Sequence, residues 1–225
     1  MKGLSLAAIA SACGGTCYGP EELLSREITG VAIEEGFLFV PIKGARVDGH
    51  DFIKQVMEKG ALCSLSEHSL GDVPYPYIVV ESTEQALKDL ARYYRSRLNL
   101  KVIGITGSVG KTSTKELIAS VLAQKYHVLK TEGNYNNEIG LPLTIFRLTE
   151  EDEIAVLEMG IDHFGEMHRL ADIARPDVCV ITNIGYAHLE SLGSREGILK
   201  AKTEMFDHLQ DEFCVVLNGD DEMLR

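Results

Sequence analysis

The segment from Val102 to Thr114 constrains the fold more than any other part of this 225-residue sequence. It starts with an apolar run rich in β-branched side chains, passes through a glycine-rich turn from Gly107 to Gly110, and carries Lys111 into a polar stretch that suits a helix. A strand, a glycine turn and a helix in this order are typical of a loop that binds phosphate groups. Glycine lets backbone N–H groups converge on an anion, and the helix N-terminus adds positive potential. We therefore expect a nucleoside triphosphate with Mg²⁺ as the ligand.

The expected contacts with this nucleotide follow from the chemistry of the loop. Lys111 can reach the terminal phosphates, and the Thr112 hydroxyl can bind Mg²⁺. The strict pattern has a glycine where this chain has Ile105, so the match is to the shorter core GxxGKT. A glycine-rich turn with a chance lysine fits the strand and helix context less well, and a GTPase is disfavoured because no N-K-x-D segment occurs. The predicted loop contacts are Gly107, Ser108, Val109, Gly110, Lys111, Thr112 and Ser113.

Composition excludes several classes of function. The net charge of −12 argues against a nucleic-acid-binding surface, which needs clustered Lys and Arg. No apolar run approaches the ~20 residues of a membrane span, and the N-terminus lacks the pattern of a signal peptide. We therefore expect a cytoplasmic protein without membrane insertion. A monomer is also expected, although the net charge decides nothing about assembly. The five cysteines are scattered without a C-x-x-C pair, which indicates reduced thiols, and Cys179 and Cys214 lie in apolar runs that predict burial in the core.

The first hundred residues alternate between helical and strand patterns. Helices are predicted at 4–12 and 51–60, and strands at 37–41, 61–65 and 77–80. Ser82 and Gln85 form a capping-box pattern that opens a further helix, and a basic face with Arg92, Arg95 and Arg97 is interpreted as solvated. The apolar face of that helix comprises Ala86, Leu87, Leu90, Ala91, Tyr94 and Leu98. A small α/β domain at 1–99 and a second domain at 100–225 are therefore predicted.

From Lys101 onward the pattern becomes regular. Strands are expected near 102–106, 127–130, 153–158, 177–182 and 213–217, with helical patterns between them. Such alternation predicts a doubly wound parallel sheet, whose ligands bind beyond the carboxyl ends of the strands. Polar clusters follow these ends at 131–137, at Glu158 and at 183–188.

These clusters contain candidate ligands of a nucleotide-bound metal. Glu158 closes an apolar strand, where a carboxylate can hold Mg²⁺ directly or through water. His188 alone suits a structural or exposed role better than metal binding, although neutral imidazole can bind a metal. Asn134, Asn136 and Asn137 fit turn and helix-cap positions as well as ligand contact.

Several segments together resemble the Mur ligases of bacterial peptidoglycan synthesis. They are GITGSVGKTSTKE, GNYNNEIGLPLT, AVLEMGIDHFGEMHRL, RPDVCVITNIGYAHLE and GSREGILKAKTEMF. The resemblance implies that residues 1–99 hold the UDP end of the substrate, a match that includes FLFVPIKGARVDGHDFI, and that residues 100–225 form the central ATP-binding P-loop domain.

The resemblance also implies a reaction. ATP phosphorylates the free carboxylate of UDP-N-acetylmuramoyl-tripeptide to an acyl phosphate, which the amine of the second substrate attacks to form an amide. Within the family, NNEIGLP and the pattern from Asn183 to Lys202 resemble the member that adds D-Ala-D-Ala, and not the diaminopimelate- or lysine-adding enzyme. The implied cofactors are ATP and Mg²⁺.

The family's functional residues fall on particular positions of this sequence. The resemblance implies that Lys111 contacts the β- and γ-phosphates, that Thr112 and Glu158 serve one Mg²⁺, and that His188 serves a second. Asn137 is implied to lie near the nucleotide phosphates. Lys202 matches a lysine that family members carbamylate to make a metal-bridging carboxylate. Without the resemblance, Lys200 and Lys202 would be interpreted as a solvated helix face.

The sequence departs from the family pattern at two places. An acidic-Ser-Arg-Lys stretch that family members place before the Gly-x-Leu-Phe-Val segment is missing after Ala32. The chain also stops just after the fifth predicted strand, whereas the family continues into further central strands and a C-terminal domain. We therefore expect a truncated, catalytically inactive fragment. Another Mur-type amino acid ligase and a degenerate, non-catalytic nucleotide-binding module are the alternatives.

Overall fold

The computed structural model describes residues 1, 3–209 and 213–225. The chain divides into two compact units, Met1–Tyr94 and Arg95–Arg225. The division falls near the end of a helix, a few residues before the boundary predicted at Asn99. Each unit has its own sheet and is described separately.

The described residues of the first unit form a small four-stranded sheet with helices. The strands lie in the order β1-β4-β3-β2, in which β1 is antiparallel to β4 and the other neighbours are parallel. The elements are α1 (Leu6–Ala12), β1 (Thr16–Tyr18), β2 (Leu38–Phe39), α2 (Ile53–Glu58), β3 (Cys63–Ser66), β4 (Tyr77–Val79) and α3 (Thr83–Ser96), with short 3₁₀ helices at Glu21–Leu23 and Gly49–Phe52. Strand β1 was not predicted, because three half-exposed residues at a sheet edge give no clear periodicity.

Helix α3 carries five of the six residues of the predicted apolar face, and Leu98 follows its end. All six side chains are buried. Its start matches the capping-box prediction in part. The Ser82 hydroxyl accepts a hydrogen bond from the Gln85 N–H at 3.2 Å, whereas the Gln85 side chain donates to Asp89.

Arg95 corrects the prediction of a solvated basic face on this helix. Its side chain is buried, and its guanidinium group donates to the backbone carbonyls of Ala174, Leu98 and Leu100 at 3.0 to 3.2 Å. Arg95 is the first residue of the second unit, so its charged group serves as a hydrogen-bond donor to backbone carbonyls within that unit.

The described residues of the second unit form a five-stranded parallel sheet in the order β6-β7-β5-β8-β9. Strand β5 is central. The chain first forms β6 at one edge and β7 between β6 and β5, and then adds β8 and β9 on the other side of β5, as in doubly wound folds. The predicted α/β class is confirmed. The elements are β5 (Lys101–Thr106), α4 (Lys111–Leu122), β6 (Val128–Lys130), α5 (Gly140–Ile145), β7 (Ile154–Glu158), α6 (Glu166–Ala174), β8 (Val178–Ile181), α7 (Leu189–Leu192), α8 (Arg195–Thr203) and β9 (Cys214–Leu217), with a 3₁₀ helix at Glu204–His208.

The three central strands are buried on both faces, as their apolar sequences predict. Val102, Val156 and Cys179 have no exposed surface. Cys214 differs from its prediction: it lies exposed on β9, at the edge of the sheet, so an apolar run there did not ensure burial. No helix in the described part of the chain is both long and apolar enough to cross a membrane.

Candidate active site

The loop after β5 lies between the segments that follow its two neighbours in the sheet, β7 and β8. Its backbone requires glycine at two positions. Gly107 has a φ of +147°, and a Cβ atom there would lie 1.9 Å from the Thr182 hydroxyl, so any larger residue would clash. Gly110 has a φ of +82° and immediately precedes α4. Lys111 opens the helix, and its ammonium group donates to the Gly107 carbonyl at 3.0 Å.

The segment after β8 braces this loop. The Asn183 side-chain oxygen accepts hydrogen bonds from the N–H groups of Ser108 and Val109 at 3.1 and 3.0 Å. The Thr182 hydroxyl donates to the Val109 carbonyl at 2.6 Å, and the N–H of Gly185 donates to the Ser108 hydroxyl. Two of the predicted phosphate-binding amides are therefore engaged by Asn183, and the loop is held in shape by the protein itself.

Glu158 lies at the end of β7 and reaches the start of α4. Its side chain is 3 % exposed, and its carboxylate accepts hydrogen bonds from the Thr112 hydroxyl at 2.9 Å and the Asn136 side chain at 2.8 Å. The Thr131 hydroxyl accepts from the Glu158 N–H. A buried carboxylate beside a hydroxyl at the mouth of a glycine loop offers the hard oxygen ligands that Mg²⁺ prefers.

Lys115 is a feature that sequence reasoning missed. It is 1 % exposed, and its ammonium group lies 3.7 Å from the Glu158 carboxylate and 3.4 Å from that of Glu116. A lysine in the second turn of a polar helix start gives no sequence signal of burial. It supplies a positive charge to a carboxylate that would otherwise be buried without one.

His188 follows β8 in a left-handed backbone conformation, with a φ of 63°. Its Nδ1 atom lies 2.8 Å from the carboxylate of Asp162, which sequence reasoning had not singled out. Because a carboxylate holds Nδ1, the Nε2 atom is the one that could bind a metal. This is the arrangement in which histidine ligands are usually oriented.

The asparagines after β6, which the sequence left open, differ in role. The Asn137 side chain accepts from the N–H groups of Ile139 and Gly140 at 3.2 and 2.8 Å, so it caps the segment that leads into α5. Asn136 instead donates to Glu158. Ser113 lies exposed in the first turn of α4.

The burial of Lys202 contradicts the interpretation of this residue as part of a solvated helix face. It is 1 % exposed on α8, whereas Lys200 on the same helix is exposed. Burial, assisted by the charge of Lys111 and opposed by that of Asp162, lowers the pKa of Lys202 to about 8. The neutral amine is therefore far more populated near physiological pH than in an ordinary lysine.

No group of three or more His, Cys, Asp or Glu side chains that could hold a metal occurs within residues 1, 3–209 and 213–225. The candidate ligands are a hydroxyl, a carboxylate and an imidazole from different elements. The hydroxyl and the carboxylate are oxygen ligands of the kind that Mg²⁺ prefers, and Mg²⁺ takes much of its remaining coordination from phosphates and water.

Comparisons with known proteins agree with the two units. The model of the Mur ligase middle domain matches residues 105–225, and the model described as the Mur ligase family, catalytic domain, matches residues 26–95. The UDP-N-acetylmuramoyl-tripeptide–D-alanyl-D-alanine ligase of Bacillus subtilis is 46 % identical over 195 residues, covering 86 % of this chain and 43 % of the relative. The Escherichia coli enzyme of the same name is 37 % identical over 221 residues, covering 98 % and 49 %.

Solved structures give the same result. MurF from Acinetobacter baumannii superimposes with a TM-score of 0.90 at 34 % identity, covering 98 % of this chain and 50 % of that one. MurF ligase from Thermotoga maritima in complex with ADP has a TM-score of 0.79 at 39 % identity, covering 85 % and 46 %. The chain thus spans about half the length of the relatives it matches. Because the middle-domain model alone covers more than half of its residues, the chain belongs to the Mur ligase family.

Proposed function

We propose that this chain carries the nucleotide-binding and substrate-binding parts of an ATP-dependent ligase that joins UDP-N-acetylmuramoyl-tripeptide to D-Ala-D-Ala. The observation that carries the proposal is the contact between Thr112 and Glu158 at the mouth of the glycine loop. It joins a phosphate loop to a buried carboxylate, as Mg²⁺-dependent phosphoryl transfer requires. The names of the B. subtilis and E. coli relatives, and the ADP bound to the T. maritima structure, support the same reaction.

The reaction has two steps. A carboxylate oxygen of the tripeptide attacks the γ-phosphorus of ATP, so that the bond to the β-phosphate oxygen breaks, ADP leaves and an acyl phosphate forms. The amine of D-Ala-D-Ala then attacks the acyl carbon, the amide forms, inorganic phosphate leaves, and the amine proton passes to solvent or a base. In both steps the protein's task is mainly positioning and charge stabilisation.

The residues of the loop have distinct roles in this proposal. Lys111 exchanges its contact with the Gly107 carbonyl for the β- and γ-phosphates. Because Asn183 already engages the amides of Ser108 and Val109, phosphate contact is expected to centre on the amides from Gly110 to Ser113. Ser108 and Val109 then contribute mainly by shaping the loop. Asn137 would contact the phosphates through its side-chain NH₂ group, since its oxygen caps the following segment.

Thr112 and Glu158 would hold one Mg²⁺, and His188 with a carbamylated Lys202 would hold a second. Bound Mg²⁺ would offset the negative charge of the phosphates during transfer. Asp162 orients the His188 ring for this role. The lowered pKa of Lys202 favours carbamylation, because only the neutral amine can react with CO₂. Residues 1–99 would bind the UDP end of the substrate.

The test is ATP-dependent phosphate release, measured with the protein that includes whatever sequence naturally flanks residues 1–225. UDP-N-acetylmuramoyl-tripeptide is present throughout, and D-Ala-D-Ala is compared with single amino acids as the amine. Lys111→Ala is the inactive variant, and Lys125→Ala, at an exposed lysine beyond the end of α4, is the matched control.

Each outcome has a clear meaning. Release that depends on the dipeptide, is lost in Lys111→Ala and persists in Lys125→Ala supports the proposal. Release with a single amino acid instead would identify another Mur-type ligase. No release with any amine would indicate a non-catalytic nucleotide-binding module.

A further inference from the structure

Two histidines meet on the surface of the second unit, in a part of the molecule that the proposed ligase reaction does not use. His168 lies on α6 and His208 ends the 3₁₀ helix Glu204–His208. Their Nε2 atoms are 3.3 Å apart, and the two ring planes are tilted by 54°. The site is accessible, since the His168 side chain is 49 % exposed and that of His208 is 17 % exposed.

A carboxylate faces the other nitrogen of each ring. His168 Nδ1 lies 2.8 Å from the carboxylate of Asp207, and His208 Nδ1 lies 3.7 Å from that of Asp172. Asp172 is itself held by an ion pair with Arg175. Carboxylates at these positions favour the tautomer with hydrogen on Nδ1 in both rings. In that tautomer each Nε2 atom carries a lone pair.

This tautomer does not suit a simple hydrogen bond between the rings. If His208 Nε2–H donates to His168, the neutral His208 ring must turn an unprotonated Nδ1 toward the negative charge of Asp172. The pair is better satisfied when both Nε2 lone pairs point to a shared cation.

The spacing suits a particular class of cation. Zinc binds histidine nitrogen at about 2.0 to 2.1 Å, so two ligands of a tetrahedral site lie about 3.3 to 3.4 Å apart. The observed separation of 3.3 Å matches this value. Histidine ligands commonly have a carboxylate on the second ring nitrogen, which fixes the tautomer and strengthens the donor. Imidazole nitrogen binds Zn²⁺, Ni²⁺ and Cu²⁺ more strongly than the hard cation Mg²⁺, so a pair of imidazoles without a protein oxygen ligand favours the transition metals.

We propose that His168 and His208 form a surface site for a divalent transition-metal ion of the Zn²⁺ class, with Asp207 and Asp172 orienting the two rings. Water or an external ligand completes the coordination, since no cluster of three protein ligands occurs among the described residues. A bound ion would link α6 to the 3₁₀ helix that follows α8. The site is separate from the residues proposed to hold Mg²⁺, and its existence does not depend on the ligase activity.

The experiment is a calorimetric titration of the 225-residue chain with Zn²⁺. Mg²⁺ is present in excess, and the thiols are kept reduced. The variants are His168→Gln, His208→Gln and the double variant. His163→Gln is the matched control, because His163 is exposed just before α6 and faces a carboxylate of its own, Glu166. Asp207→Asn tests the orienting role without removing a metal ligand.

We expect the unmodified chain to bind one Zn²⁺ ion at this site. The affinity should fall at least tenfold in each single variant, and the double variant should not bind Zn²⁺ there. Asp207→Asn should weaken binding by about 10- to 100-fold, and His163→Gln should bind like the unmodified chain. In long-range ¹H–¹⁵N NMR spectra, Nε2 of both histidines should shift on addition of Zn²⁺. Equal Zn²⁺ binding by the unmodified chain and the double variant would overturn the proposal, as would an absence of binding to either.

Discussion

The hydroxyl group of Thr112 donates a hydrogen bond to the carboxylate of Glu158 across 2.9 Å, and this contact joins the first turn of α4 to the end of β7. Parallel pairing of β5 with β7 places Ile105 beside Glu158, so the glycine loop starts next to the carboxylate. The ammonium group of the buried Lys115 lies 3.7 Å from the same carboxylate oxygen. The site therefore carries a balanced pair of charges before any ligand is bound.

This balance predicts the effect of Glu158→Gln on stability. The substitution keeps the shape of the side chain but leaves Lys115 with Glu116, a largely exposed partner. Breaking a buried ion pair by removing one partner typically costs about 3 to 5 kcal/mol, and we expect about 3 kcal/mol here because Glu116 compensates in part. Urea denaturation at pH 7 measures the free energy of unfolding. An unchanged value would show that Lys115 is not paired with Glu158.

The double variant Glu158→Gln with Lys115→Met separates this pairing from other effects. If the two groups stabilise each other, the loss in the double variant is smaller than the sum of the two single losses by about 1 kcal/mol or more. Lys125→Met, at an exposed lysine, is the control and should be additive with Glu158→Gln. Additivity of the Lys115 and Glu158 substitutions would contradict the coupling.

The sequence predicted the positions along the chain of all five strands of the parallel sheet, because parallel strands have continuous apolar sequences separated by glycine and polar turns. It also predicted the glycine turn between β5 and α4, since glycine, lysine and threonine at that spacing have a known local geometry. Both predictions depend on residues that lie close together in the chain.

The partners of these residues could not be predicted in the same way. Asn183 accepts hydrogen bonds from the loop although it lies more than seventy positions away in the sequence. Asp162, in the segment after β7, contacts His188 in the segment after β8. Arg95 and Lys202 have charged side chains, which are mostly exposed in proteins, and their burial depends on contacts between distant elements. Cys214 shows the opposite case, an apolar run exposed at a sheet edge.

Arg95→Met should destabilise the second unit. The guanidinium group donates to the carbonyls of Ala174, Leu98 and Leu100, which would lose these donors while remaining largely shielded from water. An unsatisfied buried group costs about 1 to 3 kcal/mol, and we expect a total loss of about 3 kcal/mol. Arg97→Met, at an exposed position of the following turn, is the control and should change the free energy of unfolding by less than about 0.5 kcal/mol. Equal effects of the two substitutions in urea denaturation would rule out this role for Arg95.

The cysteines should differ in their rate of alkylation. Burial raises the pKa of Cys13 and of Cys179 to about 12, with smaller contributions from Asp89 and Cys214 respectively, and it also raises the pKa of Cys63. Because the thiolate is the reactive form, these three should resist iodoacetamide at pH 8, whereas the exposed Cys214 reacts first. Mass spectrometry of peptides taken at successive times measures each rate. In guanidinium chloride the rates should become similar, and similar rates in the folded chain would contradict the prediction.

Lys202 should make stability depend on pH in a defined window. Its pKa is about 8 in the folded chain and 10.5 at its ordinary value. Below pH 8 both states bind the proton, and burying the charge costs a constant amount. Between pH 8 and 10.5 the unfolded state binds more protons than the folded state, so this contribution to stability rises with pH.

Lys202→Met therefore should raise the free energy of unfolding at pH 7 by about 3 kcal/mol, since each unit of the pKa difference corresponds to about 1.4 kcal/mol. The advantage of the variant should shrink steadily from pH 8 to about 10. The buried cysteines make stability fall as the pH rises, and comparing the two chains at the same pH cancels this contribution. A CO₂-free buffer prevents carbamylation. Lys200→Met, at the exposed lysine one half-turn earlier, should show no such pH dependence. A constant difference between Lys202→Met and the unmodified chain across this window would mean that the folded state does not lower the pKa of Lys202.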